Sequence, residues 1–295
     1  MIKRLIGSDI DLMAYSRCIE NSFQQNFYAD PAVLDLNCER WELLVCGDYE
    51  YVMPVPVTVK FGFRFVAMPL FIQQLGIFGK DDDAQVNLLF YGKLLKNYAV
   101  QTYAFNERNS LDVVLPARKN YVIAKQDYDL LSRKGFKKGR KSDIKKISGL
   151  EMSSKMADIE TFEFIQTHFK GLNKTDEIRS FVEFVQKYSR KLHFRHVYAG
   201  GKLVSLAVLT ETDQSFGLLA LINDENFKNL NASSFVVNEF LKENIAEKAL
   251  DFMGGNIRGI ELFFKSFGAV MTTYPVIQHS RSALLKNLFK AKFLR

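Results

Sequence analysis

The chain is hydrophobic over Trp41 to Cys46, Tyr51 to Val59 and Phe63 to Phe71, broken by few polar positions, with the turn residues Gly47-Asp48 and Gly62 between them. Short hydrophobic, extended runs bounded by turn residues predict three antiparallel strands in succession. The arrangement returns in the second half as Phe194 to Ala199, Leu203 to Thr210 and Phe216 to Ile222, separated by Gly200-Gly201 and Asp213 to Ser215. Each meander leads into a helical stretch, Asp83 to Tyr98 and Ser233 to Lys248, and each helix into a further strand, Val100 to Phe105 and Leu250 to Met253. Ahead of the second meander, Phe162, Ile165, Phe169 and Ile178, Phe181, Val185 fall at helical spacing, which predicts core-facing helices over Asp158 to Lys170 and Asp176 to Arg190. The matching order predicts an α/β fold with mixed sheets, built from two copies of one unit, residues 1–150 and 151–295, with a boundary near Leu150.

The densest local signal lies between Asp251 and Ala269. After a strand ending at Met253, Gly254 and Gly255 permit close backbone approach, and the amides around Asn256 and the following helix point into the space left open. A ligand oxygen fits there; a tight turn closed by Gly268 at the helix end is the plainer alternative. At the start of the preceding helix, Asn231, Ser233 and Ser234 suit either a helix cap or a phosphate contact.

Composition narrows the class. A chain of 295 residues with 47% hydrophobic and 25% charged residues has room for two ordinary cores. Phe65 to Phe78 is broken by Pro69, Gln73, Gln74 and Gly76, short of the roughly 18 apolar residues of a membrane helix. Asp9 and Asp11 interrupt any export signal, so a cytoplasmic protein is expected. Cys18, Cys38 and Cys46 lack metal spacing and are odd in number, while His193 and His196 fall on opposite faces of a strand, so no metal site is expected.

The net charge of +7 is matched by the segment Arg133 to Lys146 alone, where Lys137, Lys138, Arg140, Lys141 and Lys145 stand among eight bases against Asp143. Such a run either faces solvent or meets phosphate. A second basic stretch, Arg281, Lys286, Lys290, Lys292 and Arg295, interleaves with Leu284, Leu285, Leu288 and Phe289. That pattern fits a terminal helix packed on its own domain or, alternatively, in peripheral contact with an anionic membrane.

The order of the second half, two helices, three strands, helix, strand, helix and the last strand Val270 to Gln278, is the acetyltransferase-like arrangement known as the GNAT fold. Phe264-Lys265-Ser266-Phe267-Gly268, following Asp251-Phe252 and a small-residue turn, resembles the FemABX-type family of tandem GNAT-like proteins. Arg140 to Lys146 is similar to that family's Arg-rich interdomain helix, and Pro69 to Phe78 is a weaker likeness. The resemblance implies transfer of an acyl or aminoacyl group from acyl-CoA or aminoacyl-tRNA to an amine, on a cell-envelope or other phosphate-bearing precursor. It implies that Lys265 stabilises the oxyanion forming at the carbonyl. Gly254, Gly255, Asn256, Asn231 and Ser233 become candidates for holding the donor, and Tyr274 a candidate proton donor to the leaving group or a structural tyrosine.

One departure bears on the donor. The glycine-rich turn that cradles the CoA pyrophosphate in GNAT proteins is replaced by Asn223 to Ser234, without glycine, which puts CoA in question. A tRNA donor accounts for the basic segments but predicts an insertion that the chain lacks. No general base stands out; Asp251 and Glu261 are the nearest carboxylates. The alternative function is a non-catalytic protein binding a phosphate-bearing or nucleic-acid partner through Arg133 to Lys146, where Phe136 is the only aromatic available for base stacking.

Overall fold

The first strand, β1 (Ile2–Ile6), pairs antiparallel with β2 (Arg40–Cys46), and α1 (Leu12–Glu20) and α2 (Pro31–Asn37) form between them. Asp11 caps α1 by accepting from the Met13 and Ala14 amides, and Asp30 caps α2 with Pro31 in its first turn. In this computed structural model the described residues are 1–60, 62–171, 174–280 and 284. Contacts divide the chain into two units, Met1–Arg118 together with the chain from Thr273, and Lys119–Thr272.

In the first unit the expected meander is β2, β3 (Tyr51–Lys60) and β4 (Phe63–Val66). A short β5 (Phe78–Gly79) pairs with the start of β3. α3 (Ala84–Asn97), capped by Asp83, returns the chain to β6 (Ala99–Val100), which lies parallel to β4. The expected strand Val100 to Phe105 is thus divided, its second part being β7 (Thr102–Ala104). Pro54 and Pro56 sit inside β3 although they cannot donate to a ladder. They are accommodated because β5 pairs at Tyr51 and Val52 and β4 at Thr58 to Lys60, leaving the prolines between the two pairings.

The second unit repeats the order. After β8 (Ala117–Ile123), α4 (Tyr128–Leu130), a π-helical turn over Leu131–Gly135 and α5 (Lys138–Lys145), β9 (Leu150–Ser153) pairs antiparallel with β10 (His193–Ala199). Between them run α6 (Ile159–His168) and α7 (Thr175–Tyr188); Asp158 and Thr161 form a capping box on α6. β11 (Lys202–Glu211) and β12 (Ser215–Asn223) complete the meander, and α8 (Ala232–Asn244) crosses to β13 (Ala249–Asp251), parallel to β12. α9 (Arg258–Ser266) and β14 (Val270–Gln278) follow, and the end of β14 pairs with β7. The sheet order within this unit is β8, β13, β12, β11, β10, β9.

Each unit therefore has the plan strand, helix, helix, three-strand meander, helix, parallel strand. Leu150, the expected boundary, opens β9 and belongs by pairing to the second unit; the contact division falls inside β8 and β14. The core of the second unit joins Val236, Val237, Phe240 and Leu241 of α8 to Leu209, Phe216, Leu218 and Leu250 of the sheet. Each such fully buried side chain stabilises the fold by about 1.5–3 kcal/mol. Apart from Leu284, the tail 281–295, with its expected basic helix, lies outside the described residues. Among the described residues no helix is long and apolar enough to cross a membrane.

Candidate functional site

The connection from β12 to α8 builds a cleft of about 250 Å³, lined by Arg140, Asn223, Phe227, Asn231, Ser233 and Phe263 among others. Asp224 follows β12 and caps a 3-10 helix over Glu225–Leu230. Asn231 then takes the left-handed conformation (φ +55°) and turns the chain into α8. Asparagine tolerates that region better than most residues. Its side chain does not cap the helix, although capping was the plainer expectation; the Ser234 and Phe235 amides return instead to the Asn231 carbonyl at 2.9 and 3.0 Å. The Ala232 and Ser233 amides have no acceptor among the described residues. The start of a 13-residue helix thus presents two unused donors and the positive end of its dipole to the cleft.

Arg140 brings a fixed cation to the same place. Its guanidinium lies 4.7 Å from the ring centroids of both Phe263 and Phe267. Nε donates to Ser266 Oγ at 3.0 Å, and Nη1 donates to Ser234 Oγ. Burial pushes its pKa down and the Asp143 carboxylate, 3.5 Å away, pushes it back up; an arginine remains charged throughout. Ser233 Oγ donates to Asn223 Oδ1 at 2.7 Å, so this hydroxyl is held at the cleft wall. The acids beside the cleft are compensated: Asp224 by Lys202 at 3.1 Å, Asp143 by Arg140 and Glu225 by Lys170 at 3.6 Å.

Of the five candidate phosphate-binding cations, Arg140 alone lines this cleft. Lys137, Lys138 and Lys145 are solvent-exposed, and Lys141 donates to the Arg133 carbonyl. The reason is helical geometry: on α5 Arg140 and Asp143, three residues apart, share the face towards the α8 terminus, and the lysines rotate outward.

The segment Asp251 to Ala269 is organised by β8, which sequence reasoning missed. Asn120 donates to Asp251 Oδ1 at 3.0 Å and accepts from the Gly254 amide at 2.9 Å. Asn256 accepts from the Lys119 amide at 3.1 Å. A Cβ on Gly255 (φ +133°) would lie 2.3 Å from Tyr121 Cδ2. Gly255 therefore serves close packing against β8, whereas Asn256 and the Gly254 amide are tied to β8 by hydrogen bonds, so the Gly254 amide is already committed.

Lys265 is two residues beyond Phe263 on α9, roughly 200° around the helix, and faces away from the Arg140 cleft. There it pairs with Glu261 and stands 5.6 Å from the Tyr121 ring centroid. Glu261 also meets Lys119 at 3.2 Å. The hydrogen bonds from Lys265 and Lys119 bring the Glu261 carboxyl down to about 2. The reciprocal hydrogen bond with Glu261 raises the Lys265 pKa, so both groups are ionised. Tyr274, 1% exposed, is a core residue of the first unit beside Ala104 and Val276, and its burial removes it from the surface where a leaving group would be met. The structure thus separates the expected residues into the Arg140, Asn231 and Ser233 cleft, the Lys265 face, and buried Tyr274.

Asp143, Phe263 and Phe267 at the cleft, and Lys119, Asn120 and Tyr121 at the Lys265 face, carried no local sequence signal as site residues. They come from α5, α9 and β8, far apart in the chain. Among the described residues no cluster of His, Cys, Asp and Glu is arranged to hold a metal.

No family model matches the sequence, and no curated protein matches it. Solved structures do. FemX shares 10% identity and a TM-score of 0.63 over 92% of this chain and 96% of its own. A conserved protein of unknown function from Bacteroides thetaiotaomicron shares 12% identity and a TM-score of 0.57 over 95% of this chain and all of its own. The C-terminal domain of a putative lysylphosphatidylglycerol synthetase from Agrobacterium fabrum shares 9% identity and a TM-score of 0.54 over 96% of each chain. The resemblance to FemABX-type proteins therefore holds at the level of architecture: the chain has a mixed α/β fold similar to that of FemX along nearly its whole length.

Proposed function

We propose that this chain transfers an acyl or aminoacyl group from a phosphate-bearing donor, an acyl-CoA or an aminoacyl-tRNA, to an amine. The observation that carries the reading is the meeting of half-buried Arg140, held against Phe263 and Phe267, with the two unused amides of α8 in one cleft. A donor phosphate there would gain charge-assisted hydrogen bonds without reorganisation of the site. The glycine turn expected for CoA is absent, and Asn231 in the left-handed conformation turns the chain into α8 in its place.

In the reaction the amine nitrogen attacks the carbonyl carbon of the donor. The bond to sulfur or oxygen breaks, and the leaving group departs with its electron pair while the proton lost by the amine passes to it or to water. Lys265, ionised, is the candidate to stabilise the intermediate oxyanion. Because it faces the opposite side of α9 from the cleft, a donor using both needs a linker between phosphate and carbonyl. If so, Arg140→Ala raises KM for the donor with kcat little changed, whereas Lys265→Ala lowers kcat by about 10²–10³. Turnover of an identified donor and acceptor that is indifferent to both changes contradicts the reading.

One observation favours a second reading, a phosphate-binding protein without catalysis: the Lys265 ammonium is already paired with Glu261. Donor binding that depends on Arg140 but yields no N-acylated product selects it.

A further inference from the structure

Glu42 on β2 is completely buried, yet three arginines of the first unit converge on it. Arg4 of β1 donates from Nε to Oε2 at 2.6 Å and from Nη2 to Oε1 at 3.3 Å. Arg40 donates to Oε1 from Nη2, and the Tyr98 hydroxyl, just after α3, donates to Oε2 at 2.8 Å. A carboxylate offers about four lone-pair directions. These four hydrogen bonds fill them. Arg64 of β4 stops with Nε 3.8 Å from Oε1, too far to bond, and among the described residues it has no other acceptor.

The consequence is an imbalance of charge and of donors. Three guanidinium groups face one carboxylate, and Arg64 and Arg40 retain most of their N–H groups while their side chains are 32% and 42% exposed. Burial pushes the Glu42 pKa up, but hydrogen bonds from Arg4, Tyr98 and Arg40 prevail and lower it, so it holds the cluster in place as an anion. Like charges gathered this closely repel unless a further anion joins them.

We propose that Arg40 and Arg64, gathered around the Glu42 carboxylate that Arg4 and Tyr98 fix in place, form a binding site for a phosphate group with two negative charges. Planar guanidinium forks match the oxygens of such a group, and the surplus of two positive charges matches its own. The site lies wholly in the first unit and shares no residue with the Arg140 cleft, so it stands or falls apart from the proposed transfer reaction.

Calorimetric titration with inorganic phosphate at constant ionic strength tests it, using the full chain carrying Arg140→Gln so that the cleft does not contribute. Phosphate binding is expected to persist in that variant and to weaken about tenfold or more when Arg64→Gln is added. Since Arg64 makes no hydrogen bond, Arg64→Gln alone is expected to leave the melting temperature equal or higher. Equal phosphate affinity with and without Arg64, absence of binding in both, or a clear fall in melting temperature overturns the assignment. Co-sedimentation with phosphatidylcholine vesicles, with and without phosphatidate, separates a lipid headgroup from a free phosphate: Arg64-dependent capture only with phosphatidate identifies the lipid, and no capture alongside phosphate binding identifies the free anion.

Discussion

Arg140 on α5 donates from Nε to the Ser266 hydroxyl on α9 across 3.0 Å, and with the Lys137 amide donating to the Ser266 carbonyl at 2.9 Å it ties the basic segment to the helix carrying Lys265. The same guanidinium lies 4.7 Å from the ring centroids of both Phe263 and Phe267, which themselves meet edge to face. Arg140→Ala therefore removes packing as well as charge and is expected to cost about 1–2 kcal/mol of stability. Arg140→Lys is expected to recover little, since an ammonium neither stacks flat nor forks between Ser234 and Ser266. Urea unfolding checks both; a lysine variant as stable as the native chain contradicts the role given to the planar group.

The glycines of the Asp251 to Ala269 segment are expected to differ sharply. Gly255→Ala puts a Cβ 2.3 Å from the Tyr121 ring at a positive φ and is expected to destabilise by roughly 2 kcal/mol or more. Gly259→Ala, inside α9 with nothing within 4 Å of the new methyl, is expected to stabilise by roughly 0.5–1 kcal/mol. Thermal unfolding of the two variants measures the contrast, and similar changes of the same sign disprove the close packing on β8.

Glu261 gives a pH dependence of defined sign. Its folded pKa, about 2, lies below the ordinary value of 4.5, so its pairing with Lys265 and Lys119 stabilises the fold fully above pH 4.5 and is lost as pH falls towards 2. Glu261→Gln is expected to flatten the stability profile in that window and leave its slope unchanged near neutrality. A profile for the variant parallel to the native one between pH 4.5 and 2 counts against the network.

Cys18 and Cys38 are free thiols whose burial pushes their pKa up to about 11 and about 12. At pH 8 the thiolate of Cys18 is then roughly a thousandth of the total, and modification by a thiol reagent is expected to be far slower than for an exposed cysteine. Peptide mapping after timed alkylation shows this directly; rapid labelling of either residue contradicts the burial.

What the sequence made legible follows from the reach of each signal. The meanders, α6, α7, α8 and β14 were readable because their periodicity is local, and Asp83 and Asp158 marked helix starts through their own side chains. β1, β8 and β9 were missed: short strands such as Leu150–Ser153 acquire meaning only from a partner far along the chain, here β10. The site was half legible for the same reason. Arg140, Asn231 and Ser233 were named singly, but nothing in the sequence brings α5 to the start of α8, and nothing warned that Asn120 occupies the Gly254 amide. Tyr274 looked available because strand periodicity does not reveal what covers a strand.

The most direct test of the central claim is a mass-spectrometric transfer assay with an amine panel and either acyl-CoA or aminoacyl-tRNA, run on the native chain and on Arg140→Ala across donor concentration. The account predicts an N-acylated product from one donor class, with donor KM raised about tenfold or more by Arg140→Ala. Product formation with the same donor KM in both proteins, or no product from either donor class, contradicts it.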